Sequence, residues 1–132
     1  MKIIPESHID LLNDDKKAFA FLGTIMKDGS PQVTPIWFNA EGDYIKINSA
    51  QGRIKDKNMR ARPVIALTIF DPGNPYRYIQ LRGKVIEITP EGADAHIDAL
   101  SLKYTGKPTY QGRSPTEQRI IYKILIEKVD AH

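Results

Sequence analysis

The chain has 132 residues, 41% of them hydrophobic and 27% charged, with no cysteine and a formal net charge of +3. That length and balance suit one domain, 1–132, with a sizeable core, and the missing cysteines exclude disulfides, a thiolate nucleophile and a cysteine-ligated metal. No apolar run approaches the ~20 residues of a membrane helix and the opening MKIIPESHID has no apolar signal region, so a cytoplasmic protein without a membrane partner is expected.

From the N-terminus, Pro5 to Asp15 predicts a short helix with Ile9, Leu11 and Leu12 as its apolar contacts. AFAFLGTIM is rich in strand formers, and the Asp-Gly pair of KDGS favours a tight hairpin turn into PQVTPIWFN. AEGD then leads into YIKIN, so three strands in a meander are expected. After Ser49 the period changes. Ala50, Ile54 and Ala61 fall at helical spacing, with Ser49 as the N-cap and Pro63 stopping the helix at about Arg62. VIALTIF is a continuous apolar run, expected to be a strand buried on both faces. DPGNPYR is a loop, and YIQLRGKVIEIT a long strand in which Gly83 marks a bulge or bend. PEGADAHIDALSLKY predicts a helix from Ile97, Leu100 and Tyr104, and a Gly and Pro loop runs from Thr105 to Pro115. RIIYKILIEKV reads as a final strand, with Ile120, Ile124 and Ile126 inward and Arg119, Lys123 and Glu127 outward. Six strands with short helices point to a small, mainly β, antiparallel barrel.

Charge concentrates in one place. Lys46, Arg53, Lys55, Lys57, Arg60 and Arg62 against Asp56 give a local +5, leaving −2 for the remaining residues. Cations at a helix N-terminus oppose its dipole, so Arg53 and Lys55 there are best explained by an anion that compensates them, with Gly52 allowing close approach. A phosphate is the natural occupant. A solvated helix face is the plainer explanation of the same pattern. GRIKDKN lacks the second glycine and the Gly-Lys-Ser/Thr ending of a Walker loop. A single-stranded nucleic acid would need aromatics along a charged groove, and Trp37, Phe38, Tyr76 and Tyr78 are too few beside so local a charge.

Catalytic groupings are missing. His8, His96 and His132 are scattered with no metal-ligand spacing, so no metal is expected, and Ser30, Ser101 and Ser114 have no nucleophile context. Asp56 and Glu41 read as surface charges. Such a chain either binds without reacting or takes its chemistry from a cofactor.

Taken with their order, PQVTPIWF, INSAQGRIKDKNMRARP, DPGNPYRYIQLRGKV and KYTG make the chain resemble the flavin and deazaflavin oxidoreductases built on the pyridoxamine 5'-phosphate oxidase-like split β-barrel, from about Phe19 to Val129. GRIKDKN and DPGNPYRYIQLRG look like the group that uses coenzyme F-420, an 8-hydroxy-5-deazaflavin. The resemblance implies a six-stranded antiparallel split barrel, homodimeric, with the cofactor at the interface. It implies that Asn48, Ser49, Arg53 and Lys55 hold the cofactor phosphate, with Asn58 and Arg60 near it. Thr34, Pro35, Ile36 and Trp37 would lie along the ring, and Trp37, Tyr76 and Tyr78 would line the substrate pocket. The implied activity is hydride transfer from reduced F-420 to an unsaturated or activated small molecule, with no catalytic acid named. FMN in the same barrel, as a reductase or oxidase, and a non-catalytic flavin or deazaflavin carrier are the alternatives.

Overall fold

The computed structural model describes residues 2–132. Seven strands occur where six are expected: β1 (Phe19–Ile25), β2 (Pro31–Ile36), β3 (Phe38–Glu41), β4 (Tyr44–Ala50), β5 (Val64–Asp71), β6 (Asn74–Thr89) and β7 (Arg119–Ala131). Helix α1 (Ile54–Ala61) joins β4 to β5, and α2 (Ala93–Thr105) joins β6 to β7.

The extra strand comes from a break at Trp37. β2 pairs only with β1 and β3 only with β4, so the segment expected as one strand serves two opposite edges of the sheet. Pro35 has no N–H to donate, which suits the edge strand β2. The sheet order is β2-β1-β5-β6-β7-β4-β3, which replaces the expected three-strand meander. Because its two edge strands are separated in the chain by Trp37 alone, the sheet must curl until those edges meet. All of its pairings are antiparallel.

Alternation builds the core. Leu22 on β1 faces Leu67 on β5, which faces Leu81 on β6, while Ile47 on β4 faces Tyr122 on β7. All five are buried, with Ile45, Ile69, Ile79 and Ile124 beside them. The expectation that β5 is covered on both faces fails: Val64, Ala66 and Thr68 point the other way, and Val64 is 57% exposed. Continuous apolar sequence here marks a second face left open rather than a second layer. β6 slips register between Arg82 and Gly83, and a Cβ at Gly83 would overlap the Leu125 carbonyl, so the strand bends where only glycine fits.

The N-terminal helix is two 3-10 turns, Glu6–Leu12 and Asp14–Lys16, divided by Asn13 in extended backbone. Arg77 holds this segment against the β5–β6 turn, donating to Asp10 Oδ1 at 2.5 Å, Asp71 Oδ2 at 3.0 Å and the Ser7 carbonyl at 2.7 Å. These bonds push the Arg77 pKa up and leave it charged throughout the working range. No helix of the described residues is long and apolar enough to cross a membrane.

Candidate functional site

β4 ends later than helical spacing suggests. Its pairing with β7 continues through Ser49–Ile120 and Ala50–Arg119, and the Gln51 N–H extends it to the Gln118 carbonyl at 2.8 Å. Ser49 is therefore a strand residue on the same face as Ile45 and Ile47, not an N-cap, and its buried Oγ has no hydrogen-bond partner. Gly52, at φ +92°, turns the chain, and Arg53 takes the N-cap position of α1. Positive φ here strongly favours glycine.

Asp56, expected on the surface, is 2% exposed and organises this turn. Its carboxylate accepts from the Gly52 N–H at 2.9 Å, from Arg60 Nε at 3.0 Å and from the buried Tyr122 hydroxyl. Burial alone would raise the Asp56 pKa, but the bonds from Gly52, Tyr122 and Arg60 outweigh it and hold the carboxyl below its ordinary value. Burial, then the bond to this carboxylate, pushes the Tyr122 hydroxyl up. A core tyrosine thus fixes the carboxylate that fixes the turn carrying Arg53 and Lys55.

That turn opens on a groove of about 380 Å³. Arg53, Lys55, Asn48 and Arg119 line one end, and Trp37, Tyr110, Phe19, Pro35, Ile36 and Ile97 the remainder. The polar end is electropositive. Lys55 has no ion pair among the described residues, and burial followed by the charges of Arg53 and Arg119 lowers its pKa. Three cations are crowded together there, with Glu117 as the carboxylate paired to both arginines.

Arg119 is 4% exposed, although alternation places it on an outward face. It lies on the side of β7 against which α2 packs. Its Nε donates to Asn48 Oδ1 at 2.8 Å, and its guanidinium lies 5.2 Å from the Tyr110 ring centroid. Asn48 in turn donates through Nδ2 to the Ala93 carbonyl at 2.9 Å and to His96 Nδ1 at 3.1 Å. His96 Nε2 donates to Asn39 Oδ1 at 2.7 Å, the tautomer that leaves Nδ1 free to accept. Burial, with the nearby Lys46 charge, pushes the His96 pKa down to about 4, so the ring is neutral at pH 7.

The apolar wall is equally fixed. Trp37 stacks on Tyr104 with centroids 5.4 Å apart, and Tyr110 meets it edge-on at 6.0 Å. The Tyr104 hydroxyl donates to the Ala18 carbonyl at 2.8 Å, and burial pushes its pKa up. A planar ring would find an aromatic wall beside a cationic end.

Of the residues singled out from sequence, the groove gathers Asn48, Arg53, Lys55, Pro35, Ile36 and Trp37. Thr34 is half-buried on β2 and outside the lining. Asn58 is buried elsewhere: its amide donates to Thr24 Oγ1 at 3.0 Å and Met26 Sδ at 3.2 Å, tying α1 to β1. Arg60 is engaged with Asp56. Tyr76 is 87% exposed near the start of β6, and Tyr78 stacks on His132 at 4.9 Å, so neither shares Trp37's groove within one chain. Sequence spacing passed over Phe19, Ile97, Tyr110 and Arg119. None of the four carries a local signal: Arg119 alternates with apolar residues as Lys123 and Glu127 do, and reads like them as an outward charge.

The sequence pattern of the family described as pyridoxamine 5'-phosphate oxidase matches residues 5–132. The chain belongs to that family. Among solved structures, an F-420 reductase is similar, at 30% identity and a TM-score of 0.85 over 96% of this chain and 98% of that one. A conserved hypothetical protein from Mycobacterium tuberculosis matches at 20% identity, TM-score 0.73, over 98% and 84% of the two chains. HupZ from group A Streptococcus matches at 20%, TM-score 0.66, over 97% and 93%. These last two share the fold, the split β-barrel of the pyridoxamine 5'-phosphate oxidase-like proteins. No curated protein matches the sequence significantly.

Proposed function

We propose that this member of the pyridoxamine 5'-phosphate oxidase family is an F-420-dependent oxidoreductase acting on an unsaturated or activated small-molecule acceptor. The observation that carries the reading is the polarity of the groove: Arg53, Lys55 and Arg119 at one end, Trp37 and Tyr110 along the wall. A ligand with a planar ring and an anionic tail matches both halves. The residues fit such a group, because Lys55 is desolvated without a counter-ion and one buried nitrogen of Arg119 lacks a hydrogen-bond partner. The likeness to an F-420 reductase favours the deazaflavin over FMN.

When bound, F-420 would supply the hydride for the acceptor. The chain's own part is binding, orientation and exclusion of water. Arg53 and Lys55 hold the phosphate, with Asn48 keeping Arg119 at the same end. Pro35 and Ile36 offer backbone groups along the edge of the ring, and Trp37 and Tyr110 limit its tilt. Water, or Tyr78 reaching the groove from a second copy, supplies any proton the acceptor needs.

A homodimer belongs to the same proposal. Phe19, Phe21, Val33 and Val64 are large apolar side chains left exposed, and the outward registers of β1, β2 and β5 place them on one face. A second copy would cover that face, and only across such an interface would Tyr76 and Tyr78 reach a groove containing Trp37.

The reading is tested by titrating F-420 into the Arg53→Ala/Lys55→Ala variant. Two charged hydrogen bonds at about 1.5–3 kcal/mol each, less their solvation, predict a loss of about 2–4 kcal/mol, roughly 30- to 1,000-fold. Unchanged affinity would remove the phosphate clamp.

A further inference from the structure

The carboxylate of Glu117 sits between two arginines. Its Oε1 is 2.6 Å from Arg53 Nη2, and its Oε2 is 3.3 Å from Arg119 Nη1. The two contacts differ in kind. The first is a hydrogen bond, whereas Arg119 Nη1 is buried and makes no hydrogen bond to Glu117 or to any other described group. A buried guanidinium nitrogen left unsatisfied is costly, and such groups are uncommon outside functional sites.

Arg119 cannot relieve this by moving. Its Nε is bonded to Asn48 Oδ1, its face lies against Tyr110, and both amide hydrogens of Asn48 are engaged by Ala93 and His96. Glu117 is the partner that can move. It lies in the irregular segment between α2 and β7, its N–H is bonded to the Ser114 carbonyl at 3.2 Å, and its carboxylate is held by Arg53 and Arg119 alone among the described residues. Arg53 and Arg119 share this one carboxylate and Lys55 beside them has no ion pair among the described residues, leaving two positive charges for an incoming oxyanion.

We propose that Arg119 is an oxyanion-binding residue of the groove, positioned by Asn48 and His96, and that Glu117 holds its place until a phosphate-bearing ligand displaces it. The ligand's phosphate takes the position between Arg53 and Arg119 and gives Nη1 the hydrogen bond that Glu117 does not. Glu117 is then an internal competitor that favours ligands with a phosphate over those with a weaker anion, since only a group that out-binds the carboxylate enters. The inference rests on the cofactor reading for the identity of the ligand, but not for the competition itself.

Inorganic phosphate is the probe, titrated calorimetrically into the full chain. Glu117→Gln is expected to bind it about three- to tenfold more tightly than the wild type, because the competing charge is gone. Arg119→Lys, which keeps the charge but cannot reach Asn48 and the phosphate together, is expected to weaken binding about tenfold or more in the Glu117→Gln background and less in the wild type, where Nη1 is still covered. Equal effects of Arg119→Lys in the two backgrounds, or an unchanged affinity in Glu117→Gln, overturn the proposal. Should Arg119→Lys fail to fold, nitrogen-15 NMR of the wild type decides: the Arg119 Nε–H resonance moves on saturation with phosphate, and an unmoved resonance overturns it. Parallel titrations with F-420 separate the two readings. Phosphate behaviour as described with no F-420 binding would refute the cofactor alone, whereas F-420 binding equally to wild type and both variants would refute the role of Arg119 and Glu117 alone.

Discussion

Replacing Asp56 by alanine should be the most damaging single change outside the apolar core. The carboxylate accepts three hydrogen bonds while 2% exposed, from the Gly52 N–H, Arg60 Nε and the Tyr122 hydroxyl. Arg60 is 43% exposed and is rehydrated when the partner is lost, so it contributes little. The Tyr122 hydroxyl is not, because Tyr122 is fully buried, and stranding it costs about 1–3 kcal/mol. Loss of the charged bond to Gly52 adds about 1.5–3 kcal/mol, giving about 2.5–6 kcal/mol in total. Urea unfolding at neutral pH measures this as a midpoint lower by roughly 2 M, for a slope of about 2 kcal/mol/M. Tyr122→Phe, which removes only one of the bonds, should cost about 1–2 kcal/mol. Because the fold lowers the Asp56 pKa, the carboxylate's contribution is complete above its ordinary value of 3.8 and is lost as the pH falls through the lower folded value. A loss below about 1 kcal/mol for Asp56→Ala, or an equal loss for Tyr122→Phe, would refute the view that this carboxylate organises the turn.

His96 gives a second pH signature. Its folded pKa, near 4, lies below the ordinary 6.5, so its contribution is full above 6.5 and falls away as the pH drops towards 4. With partial exposure discounted, the wild type should lose about 1–2 kcal/mol more than His96→Gln between about pH 7 and pH 4.5. Parallel urea titrations check it, and identical pH profiles would contradict the neutral-ring network. Gly83→Ala forces a methyl into the Leu125 carbonyl and should destabilise by about 1–3 kcal/mol, measured by thermal unfolding. Val33→Asp, at a side chain 65% exposed on the apolar outer face, should leave the fold intact and shift sedimentation from dimer to monomer. A dimer that survives would place the interface elsewhere.

Much of the barrel was legible because strands with one buried face write their register as alternation. Ile120, Ile124 and Ile126 identified β7, and the Asp-Gly turn identified the β1–β2 hairpin. What failed were features decided by distant residues. Ser49 reads as an N-cap locally, but β7 lies alongside and carries β4 two residues further. The segment through Trp37 reads as one strand, but its halves pair with different neighbours. At the site, the cationic turn was visible as local charge, while Arg119 and Asp56 were not. Their burial depends on α2 and Tyr122, far away in sequence, and a charge in a sequence carries no mark of what will cover it. The ring-side assignment of Pro35, Ile36 and Trp37 came from resemblance, and the fold brings these residues to the same groove as Arg53 and Lys55.

The most direct test of the central claim is a paired fluorescence titration of the purified protein with F-420 and with FMN at moderate salt. Micromolar or tighter binding of F-420 is expected, with much weaker binding of FMN. Preference for FMN would contradict the deazaflavin assignment and leave a flavin enzyme on the same barrel. Failure to bind either would contradict the oxidoreductase reading, leaving the cationic end of the groove to another anion.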